Sequence, residues 1–172
     1  LLLPFAVRIV KGDMRALRLL IALLSLGGVF VSVLALRVHL MDPGAAPPCA
    51  VTENFDCGAV NHSRYAVFPP RGFDEDPNSK GHVPVAVIGI VGYVLIAVLA
   101  LFKADFLAFE AAQIGLFCAL LLTFLEKFVL EKWCIYCLWS QGLVAAIFVV
   151  SAINLWLSRG AKAREGLHIR SV

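Results

Sequence analysis

A chain of 172 residues, 60% of them hydrophobic and only 16% charged, is too apolar for an ordinary water-soluble domain, in which about a quarter of residues are charged. The excess apolar surface needs lipid as its solvent. The formal net charge of +3 comes from basic residues held mainly at the two ends rather than along an aromatic-rich groove, which leaves no case for nucleic-acid binding.

Residues 1–16 read as a cytoplasmic N-terminal segment, with Met14 as a start and residues 1–13 as an upstream extension that adds nothing to the fold. The first predicted helix covers about 17–40 and contains LLIALLSLGGVFVSVLAL. Its apolar run exceeds the roughly 7–15 residues of a signal-peptide core, and Leu36-Arg37-Val38-His39 follows it instead of a small-residue cleavage site. It is therefore read as a retained span.

The segment 41–82 is read as an ordered outward loop. Pro43-Gly44 and Pro47-Pro48 break regular structure before Cys49. From Phe55 to Phe68 apolar Val60, Tyr65, Ala66, Val67 and Phe68 interleave with Asn61, His62, Ser63 and Arg64, a pattern that predicts a short interfacial helix. Pro69-Pro70-Arg71-Gly72 ends it, and the polar Phe73 to Lys80 stretch follows.

Three further helices are predicted at about 83–102, 106–129 and 133–157, with 158–172 as a tail. Each is long enough to cross roughly 30 Å of hydrocarbon. The third carries Glu110 and Gln113, with Glu110 near enough to the interface to stay solvated, and Glu126 and Lys127 near the outer end, where they can snorkel and where a catalytic role stays open. Arg8, Lys11, Arg15 and Arg18 precede the first helix, and Arg159, Lys162, Arg164 and Arg170 follow the last, so both termini are expected in the cytoplasm. The expected fold is all-α: an integral-membrane four-helix bundle with an ordered extracytoplasmic loop carrying a short interfacial helix.

Five cysteines remain to be placed: Cys49, Cys57, Cys118, Cys134 and Cys137. Cys134-Ile135-Tyr136-Cys137 is a C-x-x-C at the start of the last helix, where both sulfurs share one face and the helix dipole favours a thiolate. Structural zinc needs four ligands, and no histidine is near this pair in sequence, so no metal is expected. Cys49 and Cys57 lie in the outward loop, where a redox pair and a structural staple are equally good readings of the pair alone. Two pairs on one side make a relay possible. Cys118, mid-span, reads as a packing residue. Trp133, Tyr136 and Trp139 fit both an aromatic belt and the lining of a ligand pocket. His62 is read as a surface histidine.

Four apolar helices, the loop pair, Ser63 six residues after Cys57, and Trp133-Cys-Ile-Tyr-Cys137 together resemble the vitamin K epoxide reductase family, in its bacterial form, over about 18–157. The resemblance implies that Cys49 exchanges with a thioredoxin-fold periplasmic or other extracytoplasmic partner. It implies that Cys57 passes electrons to Cys134, and that Cys137 faces a membrane quinone of the ubiquinone or menaquinone type. It places Ser63 near the redox centre. Asn61, Tyr136 and Gln141 are read as further candidates for the quinone site. Gln141 stands where vertebrate members have tyrosine, and Asn78 has no secure counterpart to their asparagine. Ser79-Lys80-Gly81-His82-Val83-Pro84 resembles the bacterial lead-in to the second helix. These features imply quinone-coupled disulfide formation in a bacterial inner membrane, with the active site on the outer face. Two alternatives stay open: reduction of vitamin K epoxide or quinone by external thiols, and a non-catalytic membrane interaction protein with structural disulfides.

Overall fold

The structure is a computed structural model that describes residues 2–45, 47, 49, 52–76 and 81–169. Asn78, Ser79, Lys80 and Arg170 lie outside the described residues. The elements, in chain order, are α1 (Leu2–His39), α2 (Cys57–Asn61), a 3₁₀ turn (Arg64–Ala66), β1 (Val67–Phe68), β2 (Val83–Pro84), α3 (Val85–Leu101), α4 (Asp105–Leu125), a π-helical turn (Glu126–Leu130) and α5 (Ile135–Ile169).

The four apolar stretches are helices. Met14–His39, Asp105–Leu130 and Ile135–Gly160, each 26 residues, are long and apolar enough to cross a membrane. The second stretch is shorter than the sequence implied. Val83 and Pro84 pair as β2 with β1, antiparallel, with Val67 opposite Pro84, which leaves 17 residues for α3. That is the lower limit of a spanning helix. Side chains such as Leu23, Phe30, Phe117, Phe124 and Trp156 point out of the bundle. Large apolar groups exposed on several helices are what a lipid-facing surface requires.

Lipid gives helices no hydrophobic reason to associate, so close packing and hydrogen bonds must hold them. Small residues let α1 approach α3: a Cβ at Gly28 would lie 2.3 Å from the Tyr93 ring, and one at Gly89 would lie 3.0 Å from Ser32 Oγ. Tyr93 in turn donates its hydroxyl hydrogen to the Ser140 carbonyl at 2.7 Å, joining α3 to α5. Ile21, Tyr93, Ile96, Ala108, Ala112 and Ile147 form the buried centre.

One end of the bundle is locked by charge. Arg18 donates twice to Asp105, at 2.8 and 2.7 Å, and Asn154 donates to the same carboxylate at 2.8 Å. Three helices, α1, α4 and α5, thus meet on one acid at the start of α4, where the dipole favours a negative charge.

At the opposite end, the expected loop helix is cut short. Ser63 adopts extended backbone (φ −63°, ψ 161°), so the helical segment stops at Asn61 and resumes only as the 3₁₀ turn before β1. His82 lies 2.7 Å from both Glu75 Oε1 and the Pro69 carbonyl, and so ties the end of the loop back to its middle.

Candidate active site

The site forms where the loop is stitched to the chain entering α5. Trp133 donates its N–H to the Asn54 carbonyl at 2.8 Å, and its own carbonyl accepts the Asp56 N–H at 3.1 Å. This parallel bridge sets Phe55 beside Trp133. Cys57 comes two residues after Phe55 and Cys134 directly after Trp133, so the backbone register itself brings the loop pair to the C-x-x-C. Asp56 then accepts the Ala59 N–H at 3.0 Å and caps α2, making Cys57 its first residue. On the other side the Cys134 carbonyl accepts the Leu138 N–H at 3.1 Å and starts α5.

Cys49 and Cys57 are disulfide-bonded, with Cα atoms 5.8 Å apart. Cys134 and Cys137 are free thiols. Cys49, Cys57 and Cys134 share one buried cluster with Val38 and Val60, and Cys137 packs against it. Cys49 is 4% exposed, and Cys57 and Cys134 are 0% exposed. A thiol of another protein therefore reaches the loop pair only when the loop moves. Asn61 spans the two pairs: its Nδ2 donates to the Cys57 carbonyl at 2.8 Å and to Cys134 Sγ at 3.6 Å. The His39 ring, 2.5 Å from the Asn61 carbonyl, braces it from α1. His62, read from sequence as a surface residue, instead places its ring nitrogens 2.9 Å from the Gly58 carbonyl and 3.0 Å from the Met41 carbonyl. It pins the loop to the end of α1.

Cys134 precedes the apolar span of α5 and sits at its N-cap. Hydrogen bonding with the Cys137 side chain, joined by the Cys137 and Tyr136 backbone N–H groups, outweighs burial and holds the Cys134 thiol below the ordinary range. A thiol so placed is a good attacking or leaving group in disulfide exchange.

Beside this cluster a cavity of about 370 Å³ runs inward between α1, α3, α4 and α5. Asn61, Ser63, Glu126, Tyr136 and Cys137 line it, together with Gly89, Gly115 and Cys118. An apolar cleft of this size with a few converging polar groups is the usual form of a small-molecule site. Ser63 Oγ is buried with no hydrogen-bond partner among the described residues, as is Glu126 Oε1. Of the two, the Ser63 hydroxyl can donate a hydrogen bond, whereas an ionised Glu126 oxygen can only accept one.

The structure thus gathers Cys49, Cys57, Cys134, Cys137, Asn61, Ser63 and Tyr136 in one place. Gln141 is set apart: it accepts a hydrogen bond from Thr123 of α4 and does not line the cavity. Tyr136, Ser140 and Val144, spaced by four, form the α5 stripe that does.

Glu126 corrects the expectation of a snorkelling side chain. It is 2% exposed, its Oε2 accepts the Cys134 N–H at 3.1 Å, and only its neighbour Lys127 faces outward. The available signal was an acid eight residues before a reactive cysteine, close to the end of a membrane helix.

The family model for the Vitamin K epoxide reductase family matches residues 19–152, most of the chain and all of the cysteines. No curated protein matches the chain.

Proposed function

Because the chain belongs to the vitamin K epoxide reductase family, and so is an integral-membrane oxidoreductase of thiol–disulfide chemistry, we propose that it carries electrons from a partner dithiol through its two cysteine pairs to a membrane quinone. The observation that supports this most is the Phe55–Trp133 bridge, which sets the loop pair against the C-x-x-C beside an apolar cavity.

The steps balance as two exchanges and one reduction. A thiolate of a thioredoxin-fold partner attacks Cys49, freeing Cys57, and the partner's second thiol closes its own disulfide. Two thiols are left in the loop. The Cys57 thiolate attacks Cys134 of an oxidised Cys134–Cys137 pair, forming a Cys57–Cys134 bond and releasing the Cys137 thiolate. Cys49 then attacks Cys57, restoring the loop disulfide and leaving Cys134 and Cys137 reduced. Quinone is then reduced from the state in which the loop pair is bonded and the helix pair carries two thiols. Cys134 and Cys137 give up two electrons and two protons, and the quinone becomes quinol. A partner of the strongly oxidising kind sits near about −120 mV, and each roughly 30 mV by which the quinone exceeds it contributes about 1.4 kcal/mol to the two-electron transfer.

In this reading the active site lies on the outer face of a bacterial inner membrane with both termini cytoplasmic, as the basic residues at the chain ends favour. The short α2 segment lies in the membrane interface, and the cavity admits the quinone ring from the lipid. Ser63 is the donor to a quinone oxygen. Asn61 serves chiefly to hold Cys134 beside Cys57, since its amide hydrogens are already engaged there.

The purified protein in lipid nanodiscs, given a reduced thioredoxin-fold dithiol and a ubiquinone or menaquinone, is expected to form one quinol per partner disulfide. Oxidation of dithiol only when vitamin K epoxide replaces quinone would instead favour the epoxide reductase reading. Absence of any turnover with either acceptor would rule out both.

A further inference from the structure

Glu126 is the ionisable group beside the cysteines that the exchange steps leave without a task. Within the reading above, we propose that Glu126 is a catalytic residue that carries a proton between the Cys134–Cys137 dithiol and the quinone.

Four observations place it there. Its Oε2 accepts the Cys134 N–H at 3.1 Å. Its carboxyl neighbours the Cys137 side chain. Its Oε1 is buried with no hydrogen-bond partner among the described residues. Glu126 and Cys137 line the same cavity. The residue opens the π-helical turn that ends α4, and such turns recur at functional sites. A purely structural acceptor for the Cys134 N–H needs one oxygen. The second oxygen has no role in that task, and the carboxyl group lies beside the Cys137 thiol.

The remaining titratable groups of the cavity are His39 on α1, Tyr65 in the loop, Tyr93 on α3, Cys118 on α4, and Tyr136 and Cys137 on α5. His39 is engaged with the Asn61 carbonyl and Tyr93 with Ser140. Glu126 is the one carboxyl group among the described lining residues.

The chemistry requires such a group. Oxidising two thiols releases two electrons and two protons, and quinone takes up both to become quinol. The Glu126 carboxylate accepts the Cys137 thiol proton as the electron pair leaves that sulfur for the quinone ring. It returns the proton to the nearer quinone oxygen. Cys134 closes the S–S bond with Cys137, and its proton goes to the second oxygen. Glu126 ends as it began.

The test is Glu126→Gln in lipid nanodiscs with ubiquinone. Glutamine keeps an oxygen for the Cys134 N–H but carries no proton. Quinol formation is expected to fall about 10²-fold, the usual scale of a lost acid–base group. That loss should exceed any loss in the rate of Cys57–Cys134 exchange by at least about tenfold. The pH dependence of quinol formation should flatten, and Glu126→Asp should restore part of the rate. For a measurement on unmutated protein, an apolar carbodiimide should label Glu126, be excluded by bound ubiquinone, and stop quinol formation. Wild-type rates in Glu126→Gln, or full activity after labelling, would overturn the proposal while leaving the quinone reading intact. An unmutated protein that exchanges disulfides but never reduces quinone would overturn both.

Discussion

Cys137→Ala is expected to lower quinone reduction by roughly 10³-fold or more, the scale on which loss of a covalent nucleophile acts. The reason is position. Cys137 lines the cavity, whereas Cys134 is 0% exposed and faces the loop pair. Removing Cys137 leaves Cys134 without the mate it needs to form the disulfide that Cys57 attacks, and takes the C-x-x-C sulfur out of the cavity lining. The fold should tolerate the change, because Cys137 has no backbone role beyond one turn of α5. Stopped-flow measurement of quinol formation checks the rate. Near-normal turnover would mean that electrons leave by another route. Cys118→Ala is the matched control: that thiol is free, lines the cavity and is outside the buried cluster of the two cysteine pairs.

Asp105→Ala is expected to destabilise the bundle by about 1.5–3 kcal/mol, the scale of a lost hydrogen bond between charged groups in a part-buried site. Its carboxylate accepts from Arg18 on α1 and Asn154 on α5, and the side chains of Arg18 and Asp105 are only 15% and 11% exposed. The loss strands a guanidinium between helices that have no hydrophobic drive to stay together. Replacing both partners, Arg18→Met with Asp105→Leu, should cost much less than Asp105→Ala alone, since no unpaired charge is left behind. The cluster sits at the end of the bundle away from the cysteines, so turnover per folded molecule should hold. Thermal unfolding in nanodiscs reads the stability. Equal midpoints for wild type and Asp105→Ala would show the pair to be idle.

The four helices were legible because sustained apolar runs in an otherwise interrupted chain leave few alternatives. The cysteines were legible because their chemistry is specific and their spacing unusual. The loop was harder. Its helical pattern ran to Phe68 on paper, but the extended backbone at Ser63 ends it at Asn61, and β1 takes over at Val67. The Phe55–Trp133 bridge has no periodic signature, since it joins single residues from distant parts of the chain. Gln141 was judged by its spacing from Cys137. The cavity follows the neighbouring stripe through Tyr136, Ser140 and Val144 instead, and Thr123 takes the glutamine. Glu126 was misjudged for a related reason. An acid near a membrane boundary is normally read as reaching for water, and only the packing at the end of α4 shows it turned toward Cys134.

One chain of contacts underlies all of this: a backbone bridge brings the two cysteine pairs into one buried cluster. The direct measurement is non-reducing peptide mapping of the Cys49→Ala, Cys137→Ala double variant, acid-quenched from native membranes. A Cys57–Cys134 linked peptide is the expected product, since each cysteine then lacks its own mate. Recovery of Cys57 and Cys134 as separately alkylated thiols, with no linked peptide under oxidising conditions, would contradict the transfer of a disulfide between the two pairs.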